Sequence, residues 1–190
     1  MERMTDECPR LRSLDLSLIR GPAAHLADAI ARLPPTLTSL TLAYCGLEGA
    51  ANLDRLARVT PELTRLDVSH CARLDNSALA ALPPGLVALK ANGCRQLSSS
   101  VFAALPPALA ELDMRNCDGV TWSAPGADLP RGLKTLKLSL RRDDTMERRW
   151  SAAAFGHHSY HRVRNRSALV DLPPGLVRLD LSDCSAAFGS

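Results

Sequence analysis

A short leucine pattern, restated from one end of the chain to the other, limits the folds open to it more than any other feature. Aligned on the leucine that follows a proline-containing stretch, the pattern L-x-x-L-x-Φ-x-x-C (Φ apolar) reads Leu86, Leu89, Ala91, Cys94 in its clearest unit, 77–94. It recurs as Leu37, Leu40, Leu42, Cys45, as Leu63, Leu66, Val68, Cys71, as Leu109, Leu112, Met114, Cys117, and as Leu176, Leu179, Leu181, Cys184. Two weaker copies, Leu11, Leu14, Leu16 and Leu133, Leu136, Leu138, carry Ile19 and Arg141 in the cysteine slot. The first leucines of successive units are 26, 26, 23, 23, 24 and 43 residues apart. All but the last interval suit a stacking unit made of one strand and one short return segment, which takes about 20–29 residues.

The physics of one unit follows from its alternation. Leu86, Leu89 and Ala91 point one way and Ala88, Lys90 and Asn92 the other, as in a strand with one buried face. Before that strand, Ser77 is placed to cap a brief helical turn, Leu79 and Leu82 share one side of it, and Pro83 ends it by pushing Leu82 out of the helical region. A strand followed by a short helix returns the chain for the next parallel strand. No unit can bury its leucines alone, so neighbours must stack. The stretch 18–37, with Ala23, Ala24, Leu26, Ala27, Ile30 and Leu33, is expected to hold a true amphipathic helix, and 49–59, with Leu53, Leu56 and Val59, a second. Later units have room for only a turn or two, and 119–129, rich in proline and glycine, reads as irregular loop.

On these residues the chain resembles the leucine-rich-repeat proteins over nearly its whole length. Cys8-Pro9-Arg10-Leu11-Arg12-Ser13-Leu14-Asp15-Leu16-Ser17 is most similar to the cysteine-containing subtype, with Thr60-Pro61-Glu62-Leu63 a near relative, while the L-P-P element is similar to the LP-rich repeats of bacterial effectors. The expected fold class is α/β: a leucine-rich-repeat solenoid, a curved horseshoe with a parallel concave sheet and short helices or turns on the convex side. One domain of about seven repeats, 1–190, is expected. The resemblance implies a non-catalytic protein–protein interaction scaffold that binds a partner through the concave face. It also implies an alternative, the substrate-recognition part of a ubiquitin-ligase receptor or of a bacterial effector ligase.

Five of the six cysteines share one slot of successive repeats, which makes them a buried column of free thiols, each able to reach a neighbouring backbone carbonyl. No C-x-x-C pair points to zinc. The opening residues 1–7 have no apolar signal-peptide core and no run approaches a membrane span, so a cytoplasmic protein with no membrane contact is expected. Phosphate-binding glycine loops and nucleophile elbows do not occur, and neither an enzyme nor a cofactor is expected. Repeat arrays need polar ends, and the leucine layers here come close to both termini. Expected covers are further chain in a longer protein, partners in a complex, or the terminal segments themselves.

The 43-residue interval holds extra material at about 139–166, after which 167–176 resumes the pattern of 77–86. From 141 to 166 there are seven arginines against Asp143, Asp144 and Glu147, a balance of +4 in a chain whose net charge is +3. The repeats themselves are therefore nearly neutral, which leaves no basic track for nucleic acid. His157, His158 and His161 fall at spacings seen in metal sites, but no carboxylate stands with them and a solvated loop is the reading taken. Arg148, Arg149 and Trp150 are the residue types that anchor interfaces, and the insert is expected to assist docking.

Outward strand positions supply the remaining candidates. The middle outward slot reads Asp15, Thr41, Asp67, Lys90, Asp113, Lys137 and Asp180. Beside it run Ser39, Arg65, Glu111, Thr135 and Arg178 on one side, and Tyr44, His70, Asn92, Arg115 and Asn116 on the other. With strands about 4.8 Å apart, these residues are expected to form a mixed-charge binding patch. The plainer reading of the same patch is a solvated sheet face laced with weak ion pairs.

Overall fold

The computed structural model describes residues 8–19, 23–47, 49–120, 129–139 and 172–181. One turn opens every repeat. The amide of the first leucine donates to the carbonyl three residues back: Leu11 to Cys8 (3.1 Å), Leu37 to Pro34 (3.2 Å), Leu63 to Thr60 (3.1 Å), Leu86 to Pro83 (3.1 Å), Leu109 to Pro106 (3.1 Å), Leu133 to Pro130 (3.0 Å) and Leu176 to Pro173 (3.0 Å). Pro9, Pro35, Pro61, Pro84, Pro107 and Pro174 all stand second in this turn, where the fixed proline φ is already correct. The cysteine-proline, threonine-proline and double-proline openings are thus one structural device.

Each turn delivers a short strand: β1 (Ser13–Asp15), β2 (Ser39–Thr41), β3 (Arg65–Asp67), β4 (Ala88–Lys90), β5 (Glu111–Met114), β6 (Thr135–Leu138) and β7 (Arg178–Asp180). They form one open parallel sheet in the order of the chain. Leu14, Leu40, Leu66, Leu89, Leu112, Leu136 and Leu179 lie opposite one another across it. From Leu40 to Leu136 these leucines are buried, each contributing roughly 1.5–3 kcal/mol. In the outermost strands Leu14 is half-buried and Leu179 is exposed.

The return segments shorten along the chain as the repeat interval does. Helix α1 is Ala23–Ala31, narrower than the stretch 18–37 that suggested it, and α2 is Gly49–Val59, where it was expected. Thr60 ends α2 by donating both its amide (2.9 Å) and its hydroxyl (2.8 Å) to the Leu56 carbonyl, and Pro61 follows. The 23-residue units hold only α3 (Asn76–Leu79) and a 3-10 helix (Ser99–Ala104). One expectation needs correcting. The cap of α3 is Asp75, not Ser77: the Asp75 carboxylate accepts the Ala78 amide (2.9 Å) and the Ser77 hydroxyl (2.7 Å), so Ser77 supports the cap from inside the helix. Most of the irregular stretch 119–129, all of the insert after Ser139, and Cys184 lie outside the described residues.

The cysteine slot closes each layer against the one before it. Cys45, Cys71, Cys94 and Cys117 are buried and free, and Cys8 is exposed. Each buried thiol donates to a carbonyl of the preceding repeat: Cys45 to Leu16 (3.1 Å), Cys71 to Leu42 (3.2 Å), Cys94 to Val68 (3.3 Å) and Cys117 to Ala91 (3.1 Å). These carbonyls lie just past the strands, where the sheet ladder no longer uses them. A buried thiol is thus both filler and donor.

Candidate functional site

The outward side of the sheet carries three rows of side chains. The first is Ser13, Ser39, Arg65, Ala88, Glu111, Thr135 and Arg178, and the second is Asp15, Thr41, Asp67, Lys90, Asp113, Lys137 and Asp180. The second row was expected in this order; the first was expected as Ser39, Arg65, Glu111, Thr135 and Arg178, and the register adds Ser13 and Ala88 to it. Between β2 and β6 they line a shallow depression of about 180 Å³ that takes in Arg65, Asp67, Lys90, Glu111, Asp113 and Lys137. Ala88, the one apolar outward residue of its row, also lines it. Across that small side chain Arg65 reaches from β3 to Glu111 on β5, at 3.8 Å. The sequence placed Ala88 outward but not among the candidate site residues, although an alanine between an arginine and a glutamate in one outward row is the available signal. Arg178 and Asp180 stand on β7, beyond the lining residues.

The ion pairs differ in how firmly they are held. Asp113 is only 7% exposed; Arg115 grips it with two hydrogen bonds of 3.0 Å and Lys137 approaches it at 3.7 Å. Expected as part of a binding patch, Asp113 is spent inside the wall. The outer pairs, Arg65 with Glu111 and Lys90 with Asp67 (3.9 Å), are long and solvated. Such pairs contribute about 0–1 kcal/mol and give way readily to a better partner.

Aspartates of the second row also hold backbone. Asp15 accepts the Ser17 amide at 2.8 Å and Asp67 the Ser69 amide at 3.0 Å, so the carboxylate folds the chain over at the end of its strand. Hydrogen bonds from the Ser17 hydroxyl and amide hold the Asp15 carboxyl below its usual pKa.

The third row corrects the alignment read from sequence. Asn92 and Arg115 stand level with Ala43 and Ser69, not with Tyr44 and His70. The Arg115 amide donates to the Asn92 side chain (3.2 Å) and the Asn92 amide to the Ser69 hydroxyl (3.2 Å). One residue later comes a separate column: Leu18, Tyr44, His70, Gly93 and Asn116, all with φ between 59° and 67°. In the left-handed region an L side chain is crowded, which is why Gly and Asn are the usual occupants. The amides of Leu18, Tyr44, His70 and Gly93 donate to Ala43, Ser69, Asn92 and Arg115 at 2.6–2.9 Å, which extends the ladder past the strands and fixes this conformation. The rings of Tyr44 and His70 stack, centroids 4.4 Å apart and planes within 10°. A Cβ on Gly93 would come within 2.5 Å of the His70 ring, so glycine serves there both the backbone and the ring. Arg148, Arg149 and Trp150 lie outside the described residues. Among the described residues no three His, Cys, Asp or Glu side chains are placed to hold a metal ion, and no helix is long and apolar enough to cross a membrane.

Solved structures with this arrangement are known. The leucine-rich repeat-containing protein LegL7 from Legionella pneumophila superposes with a TM-score of 0.50 and 17% identity over 90% of this chain. TLR13, solved in complex with ssRNA13, superposes with a TM-score of 0.52 and 22% identity over 95% of it. The fold is that of a leucine-rich-repeat solenoid. The match covers 64% of the LegL7 chain and 23% of the TLR13 chain. No protein-family model and no curated protein matches the sequence. At these identities the likeness concerns the solenoid alone. Within this chain the Cys8-Pro9, Thr60-Pro61 and double-proline openings meet its geometric demand alike, because each places a proline second in the turn before the strand.

Proposed function

We propose that this chain is a non-catalytic scaffold that binds a protein partner through the outward face of its sheet. The observation that carries the proposal is the depression lined by Ala88 and ringed by charges whose pairs are long and solvated. Arg65, Lys90 and Glu111 can leave these pairs for groups on a partner at little cost, while the tightly held Asp113 keeps the wall rigid beneath them. Mixed charge at this spacing suits a protein surface better than the uniformly anionic backbone of a nucleic acid.

The test is affinity capture with the whole chain and with an Arg65→Glu, Lys90→Glu variant. A second variant, Arg55→Glu, Arg58→Glu, alters charge on the helical side. Partners held through the sheet face should be lost from the first variant, kept by the second, and should weaken as salt is raised. Equal capture by all three forms would remove the sheet face from the account.

A further inference from the structure

The left-handed column lies on the sheet side of the solenoid, and a binding role for it rests on the proposal that this side binds protein. In its later repeats the slot is filled by Gly93 and Asn116, the types this backbone favours. In the first three it holds Leu18, Tyr44 and His70, and for the leucine and the tyrosine the conformation is unfavourable. Core burial does not account for that choice, since Leu18 is 56% and Tyr44 53% exposed. Three neighbouring repeats therefore present a leucine, a tyrosine and a histidine to solvent in one line, at a backbone cost that asparagine or glycine would avoid.

Charge around the strip selects its occupant. Asp15, on the same strand end as Leu18, makes no ion pair among the described residues, and hydrogen bonds to Ser17 favour its charged form. Among the described residues Arg12, just before β1, pairs with Glu62 at 2.7 Å, and Arg65 on β3 is turned towards Glu111, across β4, at 3.8 Å. Among the described residues the strip thus offers an aromatic ring and a carboxylate that no ion pair neutralises. One face of Tyr44 is covered by His70, whose ring fills the space left by Gly93, and this fixes the tyrosine plane. A phosphate backbone would meet the Asp15 charge, whereas a planar cation is attracted by both the ring and the carboxylate.

We propose that Leu18, Tyr44 and His70 form a docking strip for an arginine side chain presented by a protein partner. Its guanidinium packs against the exposed part of the Tyr44 ring, its aliphatic stem against Leu18, and Asp15 balances its charge.

The whole chain, immobilised, is used to select from a displayed library of random peptides. Arginine should be enriched at one position of the selected peptides, and replacing it by lysine should weaken binding. Binding should fall about tenfold in Tyr44→Asn and also fall in Asp15→Asn. Tyr44→Asn restores a residue suited to the left-handed backbone, so its thermal midpoint should match that of the parent; a clear loss of stability would assign the ring to folding and overturn the proposal. Peptides without arginine enrichment, recovery of no peptide, or a labelled single-stranded oligonucleotide that binds in a Tyr44-dependent way would also overturn it. Selected peptides that are lost with Arg65→Glu, Lys90→Glu yet indifferent to Tyr44→Asn would leave the sheet-face reading standing and remove this one. Indifference to both sets of variants would remove both.

Discussion

The cysteines tie stability to pH through their burial. Loss of water around the sulfur is the main cause that pushes the thiols of Cys71 and Cys117 up to about 11 and that of Cys94 up to about 12, from 9.0; Cys45 is raised for the same reason. An unfolded chain ionises these thiols near 9, so their contribution is complete below that pH and is lost as pH climbs through 11 to 12. Thermal midpoints should be level from neutral pH to about 8.5 and fall above 9. A Cys71→Ala, Cys94→Ala, Cys117→Ala variant, if it folds, should show a shallower alkaline slope, and an unchanged slope would mean that other groups set it. Native thiol labelling should find Cys8 first, and the buried four should react only on unfolding. The cysteine slot could be read from sequence because one chemical type recurs in it. The residue just before it could not: Leu18, Tyr44, His70, Gly93 and Asn116 share a backbone conformation and no side-chain property. Two adjacent columns were consequently merged.

Strand and turn positions were legible for a similar reason. Leucine in the first and fourth positions of the motif, with an apolar residue in the sixth, marks the buried side, and proline before it marks the entry, whichever residue stands in front. What eluded the pattern was the cap of α3, since Asp75 precedes the apolar run and Ser77 offers a hydroxyl of the same capping kind closer to it. Asp75→Ala removes the acceptor for the Ala78 amide and should cost about 1 kcal/mol, measured by denaturant unfolding; Ser77→Ala should cost less. Burial sets a steeper gradient among the leucines. Leu89, 1% exposed in the central layer, should cost about 2–5 kcal/mol on truncation to alanine. Leu179, 38% exposed on β7, should cost roughly half of that or less. Equal losses at the two positions would contradict the layering.

In a stacked array each repeat needs only its neighbours, which is why the sheet could be read so fully from spacing and the binding surface only in part. Spacing placed Arg65, Asp67, Lys90 and Glu111 side by side; it could not show that Asp113 is buried under Arg115 and Lys137, because exposure depends on which charges cross between strands. The same neighbour rule governs the long interval. Val177 and Arg178 donate to the Lys134 carbonyl at 2.8 and 2.9 Å, just as Val87 and Ala88 donate to that of Thr64 at 2.8 and 2.9 Å. The register therefore closes alike, although 43 residues separate Leu133 from Leu176 and 23 separate Leu63 from Leu86. Among the described residues, β7 pairs with β6 through the same contacts as a strand that follows a 23-residue interval. Replacing 143–164 by a short glycine-serine link roughly halves the connection, which by loop-closure entropy favours folding by about 0.6 kcal/mol. The thermal midpoint should stay level or rise slightly, and the amides of Val177 and Arg178 should keep their protection from hydrogen exchange. A fall of more than about 4 °C, the effect of about 1–2 kcal/mol in a chain of this size, would show that the removed residues stabilise the stack and that 139–166 is no mere insert.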